Sequence, residues 1–468
     1  MSTDHLEISA LLNEVVEPSI TYEKRTPILT FYDSNSSNYS SGKLTFDSIN
    51  LVNTLISYTN AYLEVPIRLS PALADTFAAT VTGDDIVYKN VALKNCVSTL
   101  IRSFRLRVNN TDVQNSQDLP LSSHIRNMIN HDVDWATSHG CQYMYSLDST
   151  DGVVFDEFKV DNTHGLVKRI NNKVTLANSY NEGFADRIRF LNIQRTNINT
   201  ASTFEFTAQI PLKMFSEFFN QLNHPLINTR LFMEVGVSGL VSNDQFCPVL
   251  VNSTEFLSSI SMSVQPGKSC RIVCDEVQLP ADYKIKFDKQ LLAVKQTQII
   301  WWDAMHYRSA VPASSTDQSC IIVPSIKCPK RVWAFVSDET KWAAQDNPAP
   351  CVTTAGPTNR LTSINLEVNN QRLFPVSIDD EYQMYNLLRH ETIGYQQDAL
   401  NGTIVSYEDW LRGHQRWYCF SIHDSEKRLS PDESAMLRLV ATRPASGTAN
   451  AVVHFLVETE QITTINMT

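Results

Sequence analysis

The chain has 468 residues, of which 43% are hydrophobic and 19% are charged, and its formal net charge at pH 7 is -11. This length supplies two or three hydrophobic cores, and the composition excludes a largely disordered protein. The acidic balance, with basic residues in runs no longer than pairs, argues against nucleic-acid binding through a broad basic surface.

The sequence has no recognisable membrane-spanning segment, signal peptide or disulfide pattern. No window of 18 apolar residues is present, so a membrane-spanning helix is not expected. The N-terminal segment is acidic and lacks the basic region and long apolar core of a signal peptide. Nine cysteines, an odd number without a repeated spacing, predict no disulfide framework. We therefore expect the protein to be made and kept in a reducing compartment.

The first predicted elements are an N-terminal amphipathic segment and several strands. Apolar residues recur at helical spacing over residues 3–17 and the pattern ends at Pro18. This segment is either a helix packed on its own domain or an arm that reaches a neighbouring subunit. Period-2 alternation then predicts strands around residues 43–46 and 61–69. Pro66 places the second of these strands at a sheet edge or a bulge.

A strand, a tight turn and a helix follow. Residues 101–113 alternate as a strand that turns at Asn109 and Asn110, since asparagine tolerates left-handed backbone. A helical segment is predicted over residues 122–129. Residues 131–200 lose regular periodicity, so we expect long surface loops between strands.

The most informative stretch is residues 204–237, which reads FEFTAQIPLKMFSEFFNQLNHPLINTRLFMEVGV. Its periodicity changes from 2 to 3.6 and back, which predicts a strand, an amphipathic helix of about three turns over residues 212–222, and a second strand. This helix is too apolar to face water. It must lie against a sheet or against a neighbouring subunit.

The remaining chain predicts further strands and a change of domain. Residues 280–296 are the best candidate for a linker between two halves of the chain. Strands are predicted on both sides of it, at residues 247–251, 269–279, 298–307, 320–323, 331–336, 417–422, 435–440 and 451–465. The prediction is a mainly β protein with few helices.

An internal repeat decides the architecture. Residues 361–373, LTSINLEVNNQRL, echo residues 101–113, IRSFRLRVNNTDV, and paired positions differ by 260. A helical stretch follows each copy at the same offset, from His124 and from Met384. A weaker match relates the strand after Asn228 to the one after Glu433. These echoes predict a duplicated domain.

Two similar β-domains with long inter-strand loops indicate two tandem antiparallel eight-stranded jelly-roll sandwiches. We assign the boundaries as an N-terminal arm at residues 1–18, a first jelly roll at 19–280, a linker at 281–296 and a second jelly roll at 297–468.

Three stretches then resemble a known family. The blocks FTAQIPLKMFSEFFNQLNHPLINTRLFMEV, FYDSNSSNYSSGKLTFDSINLVNTLISYTNAYLEVPIRL and RLRVNN are similar to double jelly-roll major capsid proteins of small double-stranded DNA viruses. The resemblance is greatest to those of polinton-like viruses and more remote to those of virophages. It spans nearly the whole chain, and the IPLK...FF...PLIN...L block is its most specific part.

The resemblance implies a structural role in the virion. Three chains of such proteins form a homotrimer of nearly sixfold outline, and these capsomers tile an icosahedral shell around DNA, often over an internal membrane. Penton and minor capsid proteins are further implied partners, and synthesis is implied in the host cytoplasm or nucleus. The resemblance implies no enzymatic activity, no cofactor and no sequence-specific binding of nucleic acid. For assembly contacts we select Phe215, Phe218 and Phe219, with residues 1–17 as the arm.

Patterns that suggest catalysis are weak. Gly83, Asp84 and Asp85 match the metal-binding hairpin of template-directed polymerases, yet a turn between two strands explains them equally well. The neighbours His423–Asp424–Ser425 contain the letters of a catalytic triad, but adjacent residues at a strand end favour a turn. No glycine-rich phosphate loop is present.

Patterns that suggest ligand binding are also weak. Cys270, Cys274, Cys320 and Cys328 invite a zinc site, but their spacings are poor and favour core thiols. Four tryptophans that could stack on bases or sugars lie in strand patterns typical of core or interface anchors, namely Trp301, Trp302, Trp333 and Trp417. We therefore expect no catalytic, cofactor-binding or metal-binding residue.

Two other functions stay open at this point. A tandem β-sandwich that binds carbohydrate or a receptor on a cell surface should bring a signal peptide and paired cysteines, and the sequence has neither. An enzyme that uses Asp84 and Asp85 should lose nucleotidyl transfer when both are replaced by Ala.

Overall fold

A computed structural model describes two β-sandwiches built from successive parts of the chain. The described residues are 24–32, 42–48, 54–73, 91–93, 95–145, 158–160, 167–169, 187, 191, 203–240, 249–251, 257–281, 284–285, 289, 296–310, 316–338, 360–392, 405–412, 416–430, 432–444 and 451–466. The predicted arm at residues 1–18, most of the predicted linker, and Asp84 and Asp85 lie outside them.

The strands of the first half of the chain are β1 (Lys24–Tyr32), β2 (Lys43–Asp47), β3 (Ile56–Leu73), β4 (Val91–Leu93), β5 (Ile101–Val108), β6 (Thr111–Ser116), β7 (Phe158–Val160), β8 (Val167–Arg169), β9 (Phe204–Pro211), β10 (Leu231–Val237), β11 (Val249–Val251), β12 (Leu257–Val264) and β13 (Arg271–Gln278). Of these, β4 pairs with β11 and β7 pairs with β8 in two small separate sheets, and the others form the first sandwich. Those of the second are β14 (Gln296–Ala310), β15 (Asp317–Lys327), β16 (Pro329–Asp338), β17 (Ser363–Val368), β18 (Gln371–Arg372), β19 (Tyr418–Ser421), β20 (Ser434–Thr442) and β21 (Ala451–Asn466).

The helices are α1 (Leu119–Asn130), α2 (Val133–Ser138), α3 (Glu217–Gln221), α4 (Glu381–His390) and α5 (Tyr407–Arg412), with short 3-10 turns at Val97–Leu100, Gly140–Tyr143 and Leu212–Met214. Among the described residues, no helix is long and apolar enough to cross a membrane.

Both sandwiches have the same strand order. The first pairs β1-β13-β3-β9 in one sheet and β2-β10-β5-β6 in the other, with β12 also paired to β3. The second pairs β14-β21-β16-β19 and β15-β20-β17-β18. When the eight strands of each sandwich are numbered along the chain, one sheet has the order 1-8-3-6 and the other has the order 2-7-4-5. This is the jelly-roll arrangement, so the predicted double jelly roll is confirmed.

The internal repeat corresponds to matching backbone geometry. Asn109 and Asn110 after β5, and Asn369 and Asn370 after β17, all have positive φ. The backbone N–H of Asn109 donates to the carbonyl of Arg230, and its side-chain oxygen accepts from the N–H of Arg230, both at 2.9 Å. Asn369 makes the same two bonds to Met436, at 3.0 and 2.9 Å. The echoed asparagines therefore tie equivalent turns to equivalent strands, β10 and β20.

Two local predictions are wrong. Pro66, predicted at a sheet edge or a bulge, lies in β3 inside its sheet and pairs with Thr207 of β9 in an unbroken register. Its missing N–H is tolerated because the pairing of β3 with β13 ends at Glu64 and that with β12 begins at Ile67. Helix 212–222 is also broken into a 3-10 turn and α3, because Ser216 between them is extended, at φ -137 and ψ 115.

The segment predicted as loop after residue 131 contains structure in its described part. Asp132 caps α2 by accepting a hydrogen bond from the N–H of Trp135 at 2.8 Å. Beyond residue 145 the described residues include the β7–β8 ribbon. The regular element at α2 was missed because aromatic stacking, rather than an apolar stripe, holds it in place.

Candidate functional site

The two jelly rolls interlock at a buried junction. Residues 119–129 of α1 are all buried, although this helix belongs to the chain segment of the first jelly roll. Four of its side chains join the hydrophobic core of the second, namely Leu121, Ile125, Met128 and Ile129. In return, Ile299, Trp301 and Ile465 of β14 and β21 join the core of the first. The contact is therefore a shared core rather than two surfaces laid together.

The phenylalanine cluster lies at this junction. Phe215, Phe218 and Phe219 are each 0% exposed. Phe218 makes edge-to-face contacts with Phe219, at 5.3 Å between ring centroids, and with Trp301 of β14, at 6.0 Å. These rings thus pack within their own chain, and the prediction that they contact a neighbouring subunit is wrong. Of the two alternatives for the apolar helix, the sheet is the correct one.

A buried polar chain crosses the same junction. The hydroxyl of Ser216 donates to Gln114 at 2.6 Å, whose amide nitrogen donates to Ser116 at 2.8 Å. The hydroxyl of Ser116 donates to the carboxylate of Asp303 in β14 at 3.2 Å. Burial raises the pKa of Asp303, while the nearby Arg126 and the hydrogen bond from Ser116 oppose that shift. Desolvated polar groups in such a chain are costly unless every partner is present, so it specifies one register for the contact.

Aromatic and histidine rings form the second edge of the junction. His454 of β21 stacks between Phe335 and His306, with ring centroids 4.8 and 5.2 Å away. His306 Nε2 lies 3.0 Å from His454 Nδ1, and His306 Nδ1 lies 3.1 Å from the carboxylate of Asp118, the N-cap residue of α1. Burial lowers the pKa of His454 well below its usual value. Neutral histidine is therefore the form that this contact holds.

A buried ion-pair cluster lies in the second jelly roll. Arg331 of β16 binds Glu458 at 2.6 Å and Glu391 at 3.2 Å. Burial lowers the pKa of Arg331, but these two carboxylates outweigh it and raise the pKa overall. Glu391, His423 and Asp424 also offer ligand atoms within 4.8 Å of one another. Glu391 is already engaged by Arg331 in a salt bridge at 3.2 Å.

The residues with triad letters form a turn, as predicted. His423 Nδ1 lies 3.1 Å from the hydroxyl of Ser421, which donates to Asp424 at 3.1 Å. The hydroxyl of Ser425 donates instead to the carbonyl of Ile422, at 2.7 Å. Ser425 is thus a turn-stabilising residue and not a nucleophile held by His423.

The cysteines and tryptophans mostly lie in cores. Cys270, Cys274 and Cys328 are buried and Cys320 is partly buried, and none of the four forms a disulfide. Burial raises the pKa of Cys274 to about 12, so it is a protonated thiol rather than a metal ligand. Three tryptophans are at most 1% exposed, namely Trp301, Trp333 and Trp417. The fourth, Trp302, lies under the guanidinium of Arg331 at 4.6 Å.

Equivalent positions of the two jelly rolls differ sharply in exposure. Ser116 and Ser122 of the first are 4% and 2% exposed, because the junction covers them. The residues 260 positions later are Val376 and Tyr382, which are 76% and 53% exposed. The segment around α4 therefore exposes apolar side chains to solvent, whereas the equivalent segment around α1 buries polar side chains. Sequence analysis missed this surface because it depends on comparing burial between the repeats.

Three solved structures share this fold. A chain of the Sputnik virophage, solved by cryo-EM, matches with a TM-score of 0.64 at 12% identity, over 97% of this chain and 89% of that chain. The mavirus major capsid protein matches with a TM-score of 0.52 at 13% identity, over 97% and 91%. The Faustovirus major capsid protein matches with a TM-score of 0.51 at 7% identity, over 98% and 92%. No protein-family model matches the sequence, and comparison with curated proteins finds no match.

Proposed function

We propose that this chain is a major capsid protein that forms homotrimeric capsomers of a viral shell around double-stranded DNA. Three observations support the proposal: the duplicated jelly roll, the likeness in fold to two viral major capsid proteins along most of the chain, and an exposed apolar surface at α4. The role is structural, without catalysis or cofactor. The virion is its location, and similarity to polinton-like viruses is the finer part of the proposal.

The exposed surface at α4 carries the argument for self-association. Within one chain, the segment from β6 to α1 of the first jelly roll docks on the second. If the chain associates, the equivalent segment of the second, with Val376 and Tyr382, docks on the first jelly roll of the next copy. Such a head-to-tail contact forms a ring when its rotation closes, as the trimer requires. Six jelly rolls from three chains give the closure that the capsid resemblance implies.

The surface on which the α4 segment docks can be inferred from the same equivalence between the two jelly rolls. The junction in the second jelly roll lies at the end of the β16–β19 ladder, where Phe335 and Trp417 pack together at 4.1 Å. The corresponding end of the β3–β9 ladder has Arg68 and Glu205, a partly buried ion pair. We place the α4 segment of the neighbouring copy there.

Substitution of the two exposed apolar residues tests the proposal. The double variant Val376→Asp and Tyr382→Asp should remain folded but elute as a monomer of 52.9 kDa, whereas the unaltered protein should have three times that mass by light scattering. Ile285→Asp is the matched control, because this residue is 56% exposed but lies between the two sets of strands. A double variant that still forms trimers would refute the contact. Unaltered protein that stays monomeric and forms no shells under the electron microscope would refute the function.

The alternative of an extracellular binding protein gains no support from the thiols. None of the seven cysteines in the described part of the chain forms a disulfide. Paired cysteines were the feature expected of that alternative.

A further inference from the structure

A cavity of about 400 Å³ opens on the first jelly roll, beside the junction elements α1 and α3. It lies between one end of the β3–β9 ladder and the helices α1 and α2. Tyr62 pairs with Pro211 at this end of the ladder, whereas Arg68 pairs with Glu205 six residues away. At about 3.3 Å per residue, the cavity is about 20 Å from the ion pair assigned to the neighbouring copy. The site is therefore independent of the capsomer contact proposed above.

Aromatic side chains form one side of the cavity. His131 stacks on Trp135 with ring centroids 3.6 Å apart and an interplanar angle of 7°. Tyr62 and Tyr143 line the same space from β3 and from the turn after α2. Rigid aromatic surfaces next to polar groups bind ligands that have both apolar C–H faces and polar edges.

The amide side chains present oriented carbonyl acceptors, together with one remaining N–H donor each. Asn130 and Asn220 donate their amide nitrogens to the carboxylate of Glu217, at 3.4 and 3.0 Å. Gln209 donates its amide nitrogen to Glu64 at 3.3 Å. Because a carboxylate only accepts, these bonds fix the amide orientation and leave three carbonyl oxygens without a partner in the described part of the chain. A fitting ligand must bring hydrogen-bond donors, which hydroxyl groups supply.

One cation faces this space. Lys213 lines the cavity, and no Asp or Glu is among its lining residues. Desolvation lowers the pKa of Lys213, and no carboxylate offsets that shift. A ligand anion would remove this cost by pairing with the ammonium group.

We propose that the cavity binds an acidic monosaccharide, a pyranose that carries one carboxylate. The sugar C–H face packs on the aromatic side, its hydroxyl groups donate to the three amide oxygens, and its carboxylate pairs with Lys213. Inorganic phosphate or sulfate fits less well, because these anions satisfy the ammonium group but bring too few donors for the carbonyl oxygens.

The test uses the full chain and three probes: methyl glucuronide, its neutral counterpart methyl glucoside, and inorganic phosphate. Saturation-transfer NMR and titration should show that the glucuronide binds at least tenfold more tightly than the other two. Lys213→Met should reduce glucuronide affinity to that of the glucoside, and Gln209→Leu should weaken both sugars. Lys268→Met, outside the cavity, should change neither affinity.

Equal binding of glucoside and glucuronide, full displacement by phosphate at equal concentration, or unchanged affinity in Lys213→Met would overturn the proposal. Trimer mass is measured on the same samples. Loss of sugar binding with intact trimers refutes the site alone, and sugar binding by a monomer refutes the capsomer alone.

Discussion

Replacement of Phe218 tests the junction most directly, because its ring contacts both halves of the chain. Phe218→Ala should destabilise the protein by about 3–5 kcal/mol, the usual cost of removing a fully buried phenylalanine. The two edge-to-face contacts, with Phe219 and with Trp301, each account for about 0.5–1.5 kcal/mol of this. Only the contact with Trp301 joins the two jelly rolls.

A double-mutant cycle isolates that contact. Phe218→Leu and Trp301→Leu remove one aromatic ring each while keeping an apolar side chain. Guanidinium unfolding of both single variants and of the double variant should give a coupling energy of about 0.5–1.5 kcal/mol. Phe218→Leu combined with Phe420→Leu is the control, since Phe420 belongs to the core of the second jelly roll without contacting the junction ring. These two should be additive within about 0.5 kcal/mol.

A coupling energy below about 0.3 kcal/mol between positions 218 and 301 would refute a stabilising contact between these two rings across the junction. In that case the burial of the segment around α1, compared with the exposure of the segment around α4, could not be attributed to this contact.

Three other predictions address acid stability, the buried charge and the repeat. Burial holds the pKa of His131 at about 4, below its unfolded value of about 6.5, so unfolding takes up a proton. As the pH falls from 6.5 to 4, the free energy of unfolding should therefore decrease by up to about 1.4 kcal/mol per pH unit. His131→Phe should flatten that slope in urea titrations, and an unchanged slope would contradict the assignment. Asp303→Ala should cost about 1–3 kcal/mol because it leaves the buried hydroxyl of Ser116 without its acceptor. Adding Ser116→Ala should recover part of the loss, and no recovery would mean that the two side chains are not coupled. Asn109→Ala and Asn369→Ala should each lower the melting temperature by a similar amount, equivalent to about 1–2 kcal/mol, because each removes the same acceptor and the same tolerance of positive φ; a large difference between them would contradict the equivalence of the two turns.

Much of the fold is local enough to be predicted from the sequence. Strand alternation and the Asn-Asn turns depend on neighbouring residues, and the two turns recur at one offset because both satisfy the same backbone geometry. The duplicated architecture follows from them. The prediction of a continuous helix over residues 212–222 failed for a non-local reason. The hydroxyl of Ser216 donates a hydrogen bond to Gln114, which lies 102 residues earlier. Helical periodicity could not show that this position leaves the helix.

The junction could not be predicted because its parts are distant in sequence and include polar residues. Ser116 and Asp303 are 187 residues apart, and α1 buries His124, Arg126 and Asn127 together with its apolar side chains. Single-sequence reasoning treats such residues as a solvated face. For the same reason the apolar Phe218 was assigned to a neighbouring subunit, when the second jelly roll of its own chain already covers it.

The difference between the repeats also has a physical explanation under the proposed assembly. The contact within the chain joins two covalently linked halves, which meet at a high effective concentration. It can therefore use small buried polar residues such as Ser116, whose hydrogen bond to Asp303 fixes the register. A contact between separate chains must in addition offset about 4–15 kcal/mol of lost translational and rotational freedom. Apolar anchors serve that purpose, and Val376 and Tyr382 supply them at the positions where the linked contact has serines.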